Sequence, residues 1–389
     1  MGFISVPRII SQKAATRYLR TSSAFGLLLL VLALPAKLMA EDFTYVTNSG
    51  VIIITGYTGL EGVVTIPNEI NGLMVGGIGK EAFGGLDFLV NITISDNVTN
   101  IGSTAFLACS GLTNVTLGNS VQSIEVSAFV GCSSLTSVTI PNSVTSIGQW
   151  VFQGCSSLNS VTIGTRVSSI GKGSLFDCSG LSAISVDPLN SNFASVDGVL
   201  FNKTQTTLVQ FPAGRAGSYT SPGSVTTIGN WAFANCTSLT NLTIGNGLTN
   251  IGDYAFSNCF GLTGIYFQGN APSYGGSVFY QPSGRWGYPA TIYYLPGTIG
   301  WGSTFDFVPA LPWLPQVQTS DASFGVGTNG FAFNINWASG MTVVVEACTS
   351  LANPVWSPLA TNTLTSVLFH FSDPQWTNYP GRFYRLRWP

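Results

Sequence analysis

The sequence predicts a mainly β chain: a parallel-strand solenoid capped at both ends, followed by a small antiparallel β-sandwich. Three observations carry that prediction. A 23-residue pattern, Ile-Gly-x-x-Ala-Phe-x-x-Cys-x-x-Leu-Thr-x-Val-Thr-Ile, returns from Ile78, Ile101, Ile124, Ile147, Ile170, Ile228 and Ile251. Within each copy, aliphatic residues alternate with Ser and Thr, as a short strand with one inward face requires. Beyond about Gln316 the period stops and a different, strictly alternating pattern begins. A fixed period of this length marks units that bury their apolar faces only by stacking on one another.

Residues 1–40 read as a signal peptide: Lys13, Arg17 and Arg20 precede an apolar run from Phe25 to Leu34, and Met39-Ala40 precedes the first acid, Glu41. That run is shorter than the roughly 20 residues a membrane span needs, and no later stretch is long enough either. Residues 41–77 are expected to cap the solenoid with a hairpin, Phe43-Thr44-Tyr45-Val46 against Val51-Ile52-Ile53-Ile54 around Asn48-Ser49-Gly50.

Residues 78–268 form the solenoid proper. The twelfth position is always Leu (Leu89, Leu112, Leu135, Leu158, Leu181, Leu239, Leu262), and the sixth is Phe except at Leu175. Stacked rungs place such residues in continuous apolar columns. Glycine follows the opening Ile except at Glu125; a site that accepts Glu does not demand a positive φ, so these glycines relieve crowding.

The period breaks once, between Ile170 and Ile228. The segment near 187–212 contains Val196-Asp197-Gly198-Val199, a hairpin signal. It predicts one atypical rung and a hairpin projecting from the solenoid. Residues 269–315 keep no period; Ile292-Tyr293-Tyr294 reads as one more strand, with Trp301 and Trp313 as plugs of the rear cap. In 316–389, Phe331, Phe333, Ile335 and Trp337 alternate, as do Val367, Phe369 and Phe371, which predicts the sandwich.

The repeat sentence, with Asp-Gly-Val-Leu-Phe-Asn-Lys (197–203) and the later Phe211-Pro212, resembles the BspA-type bacterial leucine-rich repeat family. The resemblance spans roughly residues 43 to 268. It implies a leucine-rich-repeat solenoid on a secreted or surface protein, with adhesion or ligand binding as its role. The C-terminal segment is faintly similar to fibronectin type III modules.

Charge and composition narrow the partners. All 16 acids follow residue 40, while five of the 14 bases precede it, so removing the leader leaves a net charge of −7. Phosphate backbones are bound by clustered Lys and Arg. Here they are few and scattered, which excludes nucleic acid.

Six of the seven cysteines, Cys109, Cys132, Cys155, Cys178, Cys236 and Cys259, share one repeat position and are read as a column of buried free thiols. Without histidine in the repeats, no metal or cofactor site is expected. His370, the single histidine, alternates outward between Phe369 and Phe371 and has no assignable nucleophile. Asp177, Asp187, Asp197 and Glu125 are read as solvated turn residues, not a hydrolytic pair.

The candidate ligand-binding residues are aromatic. Trp150 and Trp231 stand before the Ala/Phe plug where other copies have Thr104, Ser127 or Tyr254; Trp286 and Tyr280 belong to the rear-cap aromatics, with Tyr274, Phe279, Tyr288, Tyr293 and Tyr294. A partly exposed aromatic stripe is a binding feature. The expectation is an exported, non-enzymatic protein recognising an extracellular protein or polysaccharide. The alternatives are a glycan-active enzyme or carbohydrate-binding accessory and, third, a structural envelope protein.

Overall fold

The computed structural model describes residues 42–280, 289–327, 330–336, 342–363 and 368–387. The predicted leader, 1–40, lies outside them. The repeats build a parallel-strand solenoid of about ten turns, nearly all β.

Each rung contributes two short strands. One, such as Ser137–Ile140 or Ser160–Ile163, is the alternating segment of the repeat, with Val138 and Ile140 inward. The other, such as Ser123–Ile124 or Ser146–Ile147, lies where one copy passes into the next. Strands pair in parallel with equivalent residues in register, so Val138 meets Val161 and Val161 meets Ile184.

Identical neighbours in every rung make the columns. Phe83, Phe106, Phe129 and Phe152 stack with centroids 4.9–5.5 Å apart and planes within 18°. Leu175 interrupts them, and Phe211, Phe233, Phe256 and Phe279 resume at 5.1–5.3 Å.

Serine and threonine, too polar for a core, tie rungs together at the edges. Thr113, Thr136, Thr145, Ser168 and Thr249 each donate a hydroxyl to the backbone carbonyl one period earlier. The glycines after the opening Ile adopt no positive φ; a Cβ at Gly102, Gly148 or Gly171 would strike the backbone of the preceding rung. At Glu125 the carboxylate instead accepts from Asn100 Nδ2 and from Ser103 N and Oγ at 2.9–3.0 Å.

The cysteines are free and buried. In five of the six repeat positions Sγ donates to the carbonyl of the preceding rung's Phe, as Cys132 does to Phe106 at 3.2 Å and Cys259 to Phe233 at 2.8 Å. A small apolar side chain that also donates weakly suits the slot. Burial pushes the Cys109 thiol up to about 11 and Cys178 to about 12, and raises Cys132 and Cys155 further. Because the thiolate is the nucleophile, the native chain should leave its repeat cysteines unlabelled by maleimide near neutral pH. Unfolding without reductant should expose most of the seven. A single reactive thiol after unfolding would mean three disulfides and would refute the free column.

The hairpin does not project. Phe193–Val196 and Val199–Asn202 pair antiparallel, the second strand pairs with Thr207–Gln210, and that strand pairs in parallel with Thr227–Ile228. Val199, Leu200 and Phe201 are wholly buried. Their three consecutive apolar side chains could not be left in water, so the hairpin enters the sheet and divides the solenoid's sheets into two consecutive pairs.

At the front, Phe43–Asn48 pairs with Val51–Tyr57, which pairs with Leu73–Ile78 of the first rung, while Phe43 and Tyr57 pack on Phe83. At the rear, Thr291–Tyr294 and Val308–Pro312 continue the parallel sheet, and Trp301 stacks on Tyr294. The C-terminal part has two antiparallel sheets, one around Gly330–Asn336 and one around Thr342–Cys348, enclosing Phe333, Ile335, Val343, Val345 and Phe371. Trp313 lies on Tyr266 at 4.6 Å, as a rear plug, and packs against this cluster as well.

Candidate functional site

The turn after each opening Ile has a fixed backbone scheme. Its fourth residue is left-handed whether or not it is glycine: φ is 55° at Thr104, 60° at Ser127, 58° at Trp150, 61° at Trp231 and 58° at Tyr254. The fourth, sixth and eighth amides donate to the next rung; Trp150 N bonds to Lys172 O at 3.2 Å, Phe152 N to Ser174 O at 2.8 Å and Gly154 N to Phe176 O at 3.0 Å. These bonds hold a conformation that a bulky residue would otherwise leave. Glycine or asparagine satisfies it at lower cost, so backbone geometry does not explain tryptophan there.

The fourth-position aromatics meet seventh-position ones in a half-buried ribbon. Trp231 stacks on Tyr254 at 4.5 Å and meets Trp150 at 5.4 Å and Phe176 at 5.0 Å edge-on, while Tyr254 meets Tyr280 at 5.3 Å. Tyr280, at 43% exposure, ends the ribbon. Trp150 lies on Gly173, where a Cβ would fall within its ring. The sequence singled out Trp150, Trp231 and Tyr280 but did not name Phe176 or Gly173, beside which Ser174-Leu175 replaces the usual Ala-Phe. Trp286 lies outside the described residues. Most other rear-cap aromatics are packing: Phe279 on Phe256, Tyr293 on Tyr266 and Tyr294 on Trp301.

The ribbon gathers where the period breaks. In regular rungs the opening Ile and the Phe plug are five residues apart, but in the inserted rung Leu208 and Phe211 are three apart. The register pairs Leu208 with Ile228, and Phe211 N bonds to Ala232 O as a plug residue should. That turn is therefore two residues short. Across the gap Asn235 Nδ2 donates to Asp177 Oδ1 at 3.1 Å, 58 residues away. Partial burial raises the Asp177 carboxyl above its usual range.

Other candidates stay local. His370 is exposed, with Nδ1 2.9 Å from Asn334 Oδ1. Asp187 Oδ1 accepts from Leu189 N at 2.9 Å, within its own turn. A wider, shallow groove of about 730 Å³ crosses the outer face of the second sheet, lined by Thr116, Thr139, Thr162 and Asn142.

The model of the BspA type leucine-rich repeat region matches residues 76–208 and 211–284, in six copies, over more than half of the chain. The chain belongs to this family. Such repeat proteins are in general binding scaffolds, with protein binding or adhesion as the family's role. Among solved structures, the chain is similar to the T. pallidum leucine-rich repeat protein, at 28% identity over 58% of this chain and 90% of that one, TM-score 0.42. It is also similar to the pneumococcal vaccine antigen PcpA, at 18% identity over 66% and 93%, TM-score 0.44. A leucine-rich cell surface protein of Faecalibacterium prausnitzii A2-165 is similar at 23% identity over 65% and 87%, TM-score 0.36. No curated protein matches the sequence. Among the described residues of this BspA-type chain, no helix is long and apolar enough to cross a membrane.

Proposed function

We propose that this BspA-type chain is an exported, non-enzymatic binding protein that meets an extracellular protein or polysaccharide along its aromatic ribbon. The observation that carries the reading is the contiguity of Trp150, Phe176, Trp231, Tyr254 and Tyr280, half-exposed or exposed, on turns whose backbone prefers other residues. Export rests on the basic and apolar pattern of residues 1–40. Aromatic residues held rigidly at a surface dominate interface energies.

The test is a glycan and matrix-protein array on residues 41–389, followed by affinities of Trp150→Ala and Trp231→Ala. At least one should lose more than about 1 kcal/mol, roughly fivefold in Kd, while the fold survives. Unchanged affinity in both, with turnover of a glycan abolished by Asp187→Asn or Asp197→Asn, would replace this reading with the enzyme.

A further inference from the structure

The short turn of the inserted rung leaves more than a gap in the ribbon. In regular rungs the amides of positions four, six and eight find carbonyls on the next rung. Here those carbonyls are missing or displaced. The amides of Gly173, Leu175 and Asp177 consequently have no hydrogen-bond partner among the described residues. Beside them lies a cavity of about 160 Å³, bounded by Lys172, Gly173, Ser174 and Leu175 on one side and Thr207, Gln210 and Asn230 on the other.

Several of its polar groups have no protein partner among the described residues. Gln210, 7% exposed, uses Nε2 on the carbonyls of Phe211 and Ala232, and its Oε1 has no partner among the described residues. Ser174, 5% exposed, has a hydroxyl in the same condition. Asn230 spends Oδ1 on Asp253 N and keeps its amide donors. Polar groups without a protein partner are met by water or by a ligand, so a seam that gathers several suits a polar occupant.

The geometry points to a pyranose sugar residue bearing an acetamido or carboxylate group, bound in this seam with the Trp150–Phe176–Trp231 cluster beside it. The inference rests on the binding reading above and names its partner class. The volume equals about five waters at ~30 Å³ each, enough to seat one six-membered ring. Donors, from two backbone amides, Asn230 and Lys172, outnumber the acceptor Gln210 Oε1, which favours a sugar carrying a carbonyl-type oxygen. Hydroxyls of Ser174 and Thr207 complement ring hydroxyls in either sense.

The probes are the methyl glycosides of glucose, N-acetylglucosamine and glucuronic acid, titrated into residues 41–389 with amide chemical shifts as the readout. The N-acetyl or glucuronic glycoside should bind about tenfold more tightly than the glucoside, a difference near 1.4 kcal/mol, and shift the amides of 172–175 and 207–210. Thr207→Val should weaken that binding several-fold without moving the thermal midpoint. Lys172→Met separates the two sugars, weakening only the carboxylate. If no glycoside shifts these amides, or if the glucoside binds as well, the sugar seam is overturned. Should Trp231→Ala still abolish binding of a protein partner in that event, the ribbon reading stands alone.

Discussion

Phe129→Ala should destabilise the chain by about 3–5 kcal/mol, because its ring has no other way to be replaced. The side chain is fully buried and stacked between Phe106 at 4.9 Å and Phe152 at 5.5 Å. Removing it opens a cavity between rungs that are bonded to one another through Phe129 N and Val151 O, so the backbone cannot close around the void. Two aromatic contacts also disappear, each worth roughly 0.5–1.5 kcal/mol beyond area. In a chain of this size the thermal midpoint should fall on the order of 10 °C. A melt within a degree or two of the parent would refute the ladder as the source of stability.

Asp373→Ala should be comparably severe, at about 3–5 kcal/mol, for a different reason. Asp373 and Arg382 are both nearly buried in the sandwich, with Nη1 and Oδ2 2.9 Å apart, a charge contact whose N–H is not aligned as a hydrogen bond. The same carboxylate accepts from Tyr384 Oη at 2.9 Å and Gln375 N at 3.0 Å. Alanine would strand a buried guanidinium and orphan a phenol together, whereas Tyr384→Phe removes one hydrogen bond and should cost about 1 kcal/mol. Urea melts distinguish these outcomes. Adding Arg382→Met to Asp373→Leu should recover much of the loss, since an apolar pair replaces the ion pair without desolvating a charge. Equal melts for Asp373→Ala and Tyr384→Phe would show that the guanidinium escapes to water.

Periodic parts of the fold were legible because packing partners are written one period away. Leu135 rests between Leu112 and Leu158 in sequence order and in space, so a pattern of core positions is also a list of contacts. The second strand of each rung was missed because its two residues, as in Ser146–Ile147, are too few to show alternation. Trp150 and Trp231 stood out as large rings at a variable position where other copies carry Thr104, Ser127 or Tyr254.

The hairpin's fate was harder to read. An Asp-Gly turn predicts two antiparallel strands, and Val196 and Val199 do pair. Whether such a pair stands off the solenoid depends on which edge it meets, and that edge is supplied by Thr207–Gln210 beyond the turn. The consecutive apolar run Val199-Leu200-Phe201 was the available clue, since a projecting hairpin keeps one face wet.

The repeat length, the apolar columns, the free-thiol slot and the alternating C-terminal strands were determined by the sequence itself, because each is a local pattern answered by an equivalent neighbour. The meeting of Trp150 with Trp231, the bond from Asn235 to Asp177 and the cavity between Gly173 and Gln210 were decided only by the tertiary structure. They depend on a turn two residues short in the one rung without an equivalent, and no periodic rule states what closes over such a gap.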